Sequence, residues 1–161
     1  MEKRRFGPAV RLSASSSVHS GRMVAKLWTW VDNEDSQLGD GTFTSATLPQ
    51  PIQPTVAWQA VAAGYSHTVA LRADGILWAW GENSHGRLGI FGDAYSPQPV
   101  QPGATWRAVA AGGQHTVALR TDGTLWAWGN NHSGEIGQPP SSVPRPIPGG
   151  AVWSPRPWLS Y

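Results

Sequence analysis

The stretch that decides the fold is residues 58–89, WQAVAAGYSHTVALRADGILWAWGENSHGRLG. It returns 48 residues later, at 106–137, as WRAVAAGGQHTVALRTDGTLWAWGNNHSGEIG, with 22 of the 32 positions identical and no gap. Residues 27–42, LWTWVDNEDSQLGDGT, preserve half of an earlier copy. A fixed period of about 20–50 residues is the mark of a repeat architecture. The chain is therefore expected to consist of similar structural units.

Each unit has the pattern of short antiparallel strands. Apolar runs flank Asp74-Gly75, and the second copy repeats this as Asp122-Gly123. Two such runs around Asp-Gly predict a hairpin with a type I′ turn. Trp78 and Trp80 are two apart and share one strand face, while apolar residues occupy the other, so this strand is expected to be buried on both sides. No stretch of the sequence shows the sustained 3.6-residue hydrophobic period of a helix. A unit of four short antiparallel strands is typical of one blade of a β-propeller.

The repeat resembles that of the regulator of chromosome condensation family, in the sequence motif typical of its bacterial members. The matching residues are Trp28 and Trp30; Gly64, His67, Asp74, Gly75, Trp78, Trp80 and Gly81; and Gly112, His115, Asp122, Gly123, Trp126, Trp128 and Gly129. Because they recur from unit to unit, we interpret them as structural repeat residues. Family members are typically seven-bladed propellers, so the resemblance implies antiparallel four-stranded blades in an incomplete ring.

The repeat pattern divides the chain into five segments. Residues 1–25 read as a disordered or non-native basic tail, with Met23 as an alternative start to Met1. The predicted repeats are a partial first one at 26–57, a second at 58–105 and a third at 106–152, and 153–161 reads as the truncated start of another. With two and a half repeats, we expect a fragment, a decayed copy, or a protomer that completes a ring by self-assembly.

Two departures from the pattern fall in the first repeat. Val31 stands where the second repeat has Gly81, and Ser36 stands where it has Gly86. If those glycines require a positive φ, the substituted residues are strained, since side chains with a Cβ disfavour that conformation.

The sequence offers little for catalysis. His67 and His115 recur one blade apart, which favours a packed histidine hydrogen-bonded to the backbone of a neighbouring blade over a singular catalytic or metal role. The chain has no cysteine, so thiolate metal sites and disulfides are excluded. No nucleophile elbow or phosphate loop is present. We therefore expect a protein that is not an enzyme and uses no metal or cofactor.

Charge and hydropathy limit the partners. Residues 1–26 hold six basic residues and one acid, whereas residues 27–161 hold six basic residues and nine acids. The mildly acidic repeats argue against binding nucleic acid through phosphate contacts. No apolar run is long enough for a membrane span or a signal-peptide core, which favours a cytoplasmic location and no membrane partner.

Positions that differ between the copies flank glycines and turns, where repeat proteins build binding surfaces. From these we predict exposed contacts to an unknown protein partner at Tyr65, Glu82, His85, Arg87 and Asn130. Tyr65 is the strongest anchor, because interface hot spots favour tyrosine.

These features favour a non-catalytic propeller-type scaffold for protein–protein interaction. The family resemblance implies two alternatives. One is a regulator of a small GTPase that resembles a guanine-nucleotide exchange factor, and the other is an inhibitor of a secreted enzyme such as a β-lactamase.

Overall fold

The computed structural model describes the backbone of residues 9–19 and 22–148, with side chains from residue 25 onward. This part of the chain contains eleven strands and no helix. They are β1 (Ala9–His19), β2 (Arg22–Val31), β3 (Ala46–Ile52), β4 (Trp58–Ala63), β5 (His67–Arg72), β6 (Leu77–Gly81), β7 (Ala94–Pro99), β8 (Trp106–Ala111), β9 (His115–Arg120), β10 (Leu125–Gly129) and β11 (Ser141–Pro146).

The two full repeats fold as two antiparallel four-stranded blades. Strands β4 to β7 form blade 2, and β8 to β11 form blade 3, each in chain order. Blade 1 consists of β1, β2 and β3, with β2 in the middle, and one bridge from Ala25 to Trp58 joins it to β4. The all-β blade architecture predicted from the repeat is confirmed.

The start of the chain differs from the expected disordered tail. The backbone of Ala9–His19 is a strand that pairs with β2, from Ala9 opposite Trp30 to His19 opposite Arg22. Blade 1 therefore has counterparts of three of the four strands of blade 2, and the described residues include no counterpart of β4. The rest of the tail (residues 1–8, 20 and 21) and the truncated repeat predicted at 153–161 lie outside the described residues.

The Asp-Gly hairpins are present, but the turn type was predicted wrongly. A type I′ turn needs positive φ at both central residues, whereas Gly75 has a φ of 86° and Asp74 is not in the positive region. The amide of Gly75 donates to the carbonyl of Arg72, and the amide of Arg72 donates to that of Ile76. This is the pattern of a turn closed by a glycine bulge, in which glycine alone supplies the left-handed residue.

Each blade has two different faces because side chains alternate along its strands. In blade 2, the face toward blade 3 carries His67, Val69, Leu71 and Leu77, all buried. The face toward blade 1 carries Thr68 and Trp80, also buried. We call these the forward face and the backward face. Between blades 2 and 3 the core joins Val69 and Leu71 to Trp106 and Trp128.

The two glycine replacements in blade 1 keep the backbone conformation of the glycines. Val31 has a φ of 87° where Gly81 has 103°, and Ser36 has 56° where Gly86 has 69°. A positive φ is a genuine outlier for a β-branched residue. The strain expected at Val31 is thus visible in the backbone.

We predict that Val31→Gly raises the free energy of unfolding by about 1 kcal/mol. It relieves the roughly 1–2 kcal/mol cost of a left-handed residue with a Cβ, and the greater freedom of glycine in the unfolded chain offsets part of the gain. Urea denaturation of the full chain measures the difference.

The matched control is Gly81→Ala in blade 2. A Cβ there would lie 2.4 Å from the carbonyl oxygen of Ser66, so this substitution should destabilise the chain. A Val31→Gly variant that is less stable than the wild type would show that the positive φ at Val31 costs little.

Candidate interaction surface

In each blade, an asparagine fixes the conformation of the loop that connects the last two strands. In loop 2 (residues 82–93), Asn83 Oδ1 accepts from the amide of Leu88 at 2.9 Å, and Asn83 Nδ2 donates to the carbonyls of Ile90 and Gly92 at 2.7 and 2.8 Å. Asn33 in loop 1 (residues 32–45) and Asn131 in loop 3 (residues 130–140) make the equivalent bond to the amide five residues on. The three loops therefore share one rigid internal frame.

The loop carbonyls connect successive blades. The carbonyl of Gln37 in loop 1 accepts from Thr68 Oγ1 at 2.8 Å and from Trp80 Nε1 at 2.9 Å, both on the backward face of blade 2. The carbonyl of Arg87 in loop 2 accepts from Thr116 Oγ1 at 2.7 Å on blade 3. All of these groups are buried, where an unpaired polar group costs about 1–3 kcal/mol. We call this repeated arrangement the loop-carbonyl contact.

His67 extends the contact between blades 2 and 3. Its Nε2 lies 3.2 Å from Thr116 Oγ1, and the proton of that hydroxyl is already donated to the carbonyl of Arg87. Nε2 must therefore carry the imidazole proton, because the hydroxyl has only acceptor capacity left. His67 is thus packed between two blades, and its partner is a threonine side chain where a backbone partner was expected.

Burial keeps His67 neutral. Desolvation, followed by electrostatic interaction with Arg87 and His115, lowers the pKa of His67 from 6.5 to about 3. The ring also covers Gly64, where a Cβ would lie 2.1 Å from His67 Cε1. The glycine and the histidine of the repeat are thus required together.

Arg87 was predicted to be exposed, but the structure buries it. Only 2% of it is exposed, its Nη1 pairs with Glu82 Oε2 at 3.1 Å, and its Nη2 donates to Ser84 Oγ at 3.0 Å. The position varies between copies because its carbonyl, and not its side chain, makes the repeated contact. Variation therefore did not signal exposure here.

The other predicted contact residues lie at the same end of the blades. Tyr65 is 60% exposed, and its ring covers Gly113 of blade 3. His85 is exposed on loop 2. Glu82 and Asn130 are half-buried at the loop bases, and Asn130 Nδ2 donates to Gln114 Oε1 at 2.7 Å. Their role in binding a partner stays a prediction.

Exposed aromatic residues on the loops were missed by the sequence analysis. Phe91 is 93% exposed, and Phe43 and Tyr95 are 58% and 51% exposed with ring centroids 5.1 Å apart. Phe43 belongs to loop 1 and Tyr95 to blade 2, so this pair spans two blades. At the 48-residue offset Phe91 stands opposite Pro139, a difference that comparing the copies beyond residue 89 would have shown.

The loop end is also acidic. Loops 1 to 3 hold seven aspartates and glutamates, and their single arginine or lysine is the buried Arg87. The Asp-Gly hairpins at the opposite end carry two arginines and two aspartates. The negative charge of the repeats is therefore concentrated at one end of the blades.

Residues 25–148 contain no group of three or more metal-ligating side chains arranged around a common point. In the described part of the chain, no helix is long and apolar enough to cross a membrane.

The blades and their loop-carbonyl contacts define a β-propeller repeat protein. Two models of the regulator of chromosome condensation (RCC1) repeat match the chain, one at residues 25–71 and 74–119 and the other at 58–87 and 106–135. The chain belongs to this family, as the motif predicted. No curated protein sequence gives a significant match.

Solved structures of low sequence identity show the same fold. Prp20p from Saccharomyces cerevisiae aligns with a TM-score of 0.69 and 24% identity, over 80% of this chain and 36% of its own. The same yeast protein in its complex with Kap60 gives 0.70 and 24%, over 80% and 35%. Human WBSCR16 gives 0.64 and 21%, over 78% and 35%. The chain thus spans about a third of the length of these structures.

We predict that Thr116→Val lowers the free energy of unfolding by about 2–3 kcal/mol. The substitution keeps the shape but removes one hydroxyl that both accepts from His67 and donates to the carbonyl of Arg87. Chemical denaturation of the full chain measures the loss.

Thr68→Val is the matched control. It removes the hydrogen bond from Thr68 to the carbonyl of Gln37, but that carbonyl still accepts from the indole of Trp80. Because no buried acceptor is left unpaired, we expect the free energy of unfolding to fall by only about 1 kcal/mol. Equal losses for the two variants would contradict the shared role of Thr116.

Stability should fall as the pH drops below 6.5. In that range an unfolded His67 binds a proton that the folded chain does not bind until about pH 3, so the unfolded state is favoured as pH falls. Between pH 7 and pH 5 the contribution of His67 is a loss of about 2 kcal/mol. His67→Gln, which retains an amide donor toward Thr116, should be less stable at pH 7 but should lose less stability over this interval. Parallel slopes for the two proteins would refute the assignment.

Proposed function

We propose that the protein is a non-catalytic interaction scaffold whose loop end binds a protein with a positively charged surface. The observation that carries this proposal is the placement of charge, because most acids of the repeats lie on the three loops and the one arginine there is buried. A surface of one sign attracts a partner of the opposite sign and raises its rate of association.

Exposed aromatic rings support a protein as the partner. Phe43, Tyr95, Phe91 and Tyr65 all present more than half of their surface at the loop end of blades 1 and 2. Aromatic residues are enriched at interfaces because they contribute a large contact area at a low cost in conformational entropy.

The loops are suited to presenting these groups without reorganisation. Asn33, Asn83 and Asn131 fix the loop frames, and the loop-carbonyl contacts fix loops 1 and 2 against the next blade. A rigid surface loses less entropy on binding than a mobile one.

Similar structures give general support. Prp20p was characterised for its binding to Gsp1p and to histones, and yeast RCC1 was solved bound to Kap60. Exchange of guanine nucleotide and inhibition of a β-lactamase stay predictions from the family resemblance.

Binding of fluorescent peptides to the full chain tests the proposal. A lysine-rich peptide should bind more tightly than a glutamate-rich peptide of equal length, and the difference should shrink with added salt. Glu34→Lys, an exposed reversal on loop 1, should weaken binding of the basic peptide roughly threefold. Phe91→Ser should also weaken it, because the ring is exposed and makes little contact within the chain.

Thr55→Lys is the control, because this exposed residue lies between β3 and β4, away from the loops. It should leave binding unchanged. The proposal fails if both peptides bind equally well, or if Thr55→Lys weakens binding as much as Glu34→Lys does.

A further inference from the structure

We propose that copies of this chain associate head to tail, with loop 3 and the forward face of blade 3 of one copy docking on the backward face of blade 1 of the next. This association is separate from the binding of a partner at the loop end. The template for it is the contact between successive blades inside the chain.

The internal contact shows what each side supplies. Blade 2 presents the carbonyl of Arg87 and a forward face with His67, and blade 3 presents Thr116 and Trp128. Gly89 of loop 2 lies so close under Trp128 that a Cβ there would be 2.7 Å from the indole Nε1. Loop 1 meets blade 2 in the same way, because a Cβ on Gly39 would lie 2.5 Å from the indole Nε1 of Trp80.

Blade 3 repeats the forward face, and no described residue of a further blade covers it. Strands β5 and β9 have the same sequence, HTVALR. Val69, Leu71 and Leu77 are fully buried in blade 2, whereas their counterparts in blade 3 are half-buried. Those counterparts, Val117, Leu119 and Leu125, line an apolar cavity of about 280 Å³ together with Ala108, Val109, Ala110 and Ala118. Since the sequences are identical, the difference comes from the adjacent blade, which among the described residues only blade 2 has on this face.

Loop 3 is likewise formed, and no described blade packs on it. Glu135 occupies the position of Gln37 and Arg87, and it is exposed where they are buried. Gly137 keeps a positive φ of 61°, as Gly89 does at 72°, yet nothing described lies within 4 Å of a Cβ built on it. The loop thus has the conformation that receives an indole, without an indole from the described residues.

Blade 1 supplies the complementary group. Trp30 occupies the place of Trp80 and Trp128, which are fully buried under the preceding loop. No described loop precedes blade 1, and Trp30 is half-buried. One end of the described chain therefore has a loop without a tryptophan, and the other end has a tryptophan without a loop.

A second copy is the occupant that fits both ends at once. The contact is heterologous, so its repetition closes a ring or extends a filament according to the rotation between copies. With three blades per copy, a dimer would supply six blades and a trimer nine, on either side of the seven that the family resemblance implies for a ring.

Light scattering on the full chain, across a dilution series, is the test. We expect particles larger than one chain that dissociate on dilution. Gly137→Ala should give monomers, because its Cβ would clash with the incoming indole as it would at Gly39 and Gly89. Gly103→Ala is the control, since Gly103 also has a positive φ and open space but lies away from the loops, and it should assemble as the wild type does.

Mixing two defective variants makes the test directional. Gly137→Ala keeps a functional blade 1, and Trp30→Ala keeps a functional loop 3, so each should be monomeric alone and the mixture should give dimers and nothing larger. Circular dichroism of each variant confirms that it is folded.

The proposal is overturned if the wild type is monomeric throughout the dilution series, which would leave these surfaces to a repeat of a longer chain. It is also overturned if Gly137→Ala assembles like Gly103→Ala. A mixture that yields particles larger than dimers would exclude the head-to-tail geometry. If Trp30→Ala is unfolded, the comparison of the two glycine variants still decides.

Discussion

The contact between a loop carbonyl and the next blade is the interaction on which the rest of the structure depends. A blade is a sheet with two apolar faces, so it cannot bury both of them alone. The carbonyls of Gln37 and Arg87 fix where the following blade sits, because they accept from buried hydroxyls on its backward face. The apolar core between Leu71 and Trp106 then follows from that placement.

This dependence explains why identical strands have different environments. The sequence HTVALR specifies a strand in both full repeats, and hydrogen bonding within the blade is the same. Burial of Val69 but not of Val117 is decided by the adjacent blade. Local sequence therefore determines the blade, and the position of the blade in the array determines its stability.

More of the fold than of the exposed surface could be predicted from the sequence. The 48-residue period, the paired tryptophans and the glycines at Gly81 and Gly129 identify blades, because each has a geometric role that recurs. The strand at β1 could not be predicted, since it carries no repeat signature. The burial of Arg87 was missed because a backbone carbonyl makes the contact and leaves the side chain free to vary. Phe91 lies outside the compared positions, so its exposure had no internal reference.

The loop-carbonyl contact also has a direction along the chain. In both observed cases the acceptor, Gln37 or Arg87, precedes its donors, Thr68 or Thr116, by about 30 residues. During synthesis the acceptor loop therefore leaves the ribosome before the blade that binds it, at a rate of about 5–20 residues per second. Each new blade therefore docks on a loop that has already been synthesised. The most recently made blade is then the one whose forward apolar face is still uncovered. Propeller assembly of this kind is suited to proceed vectorially, from the amino terminus.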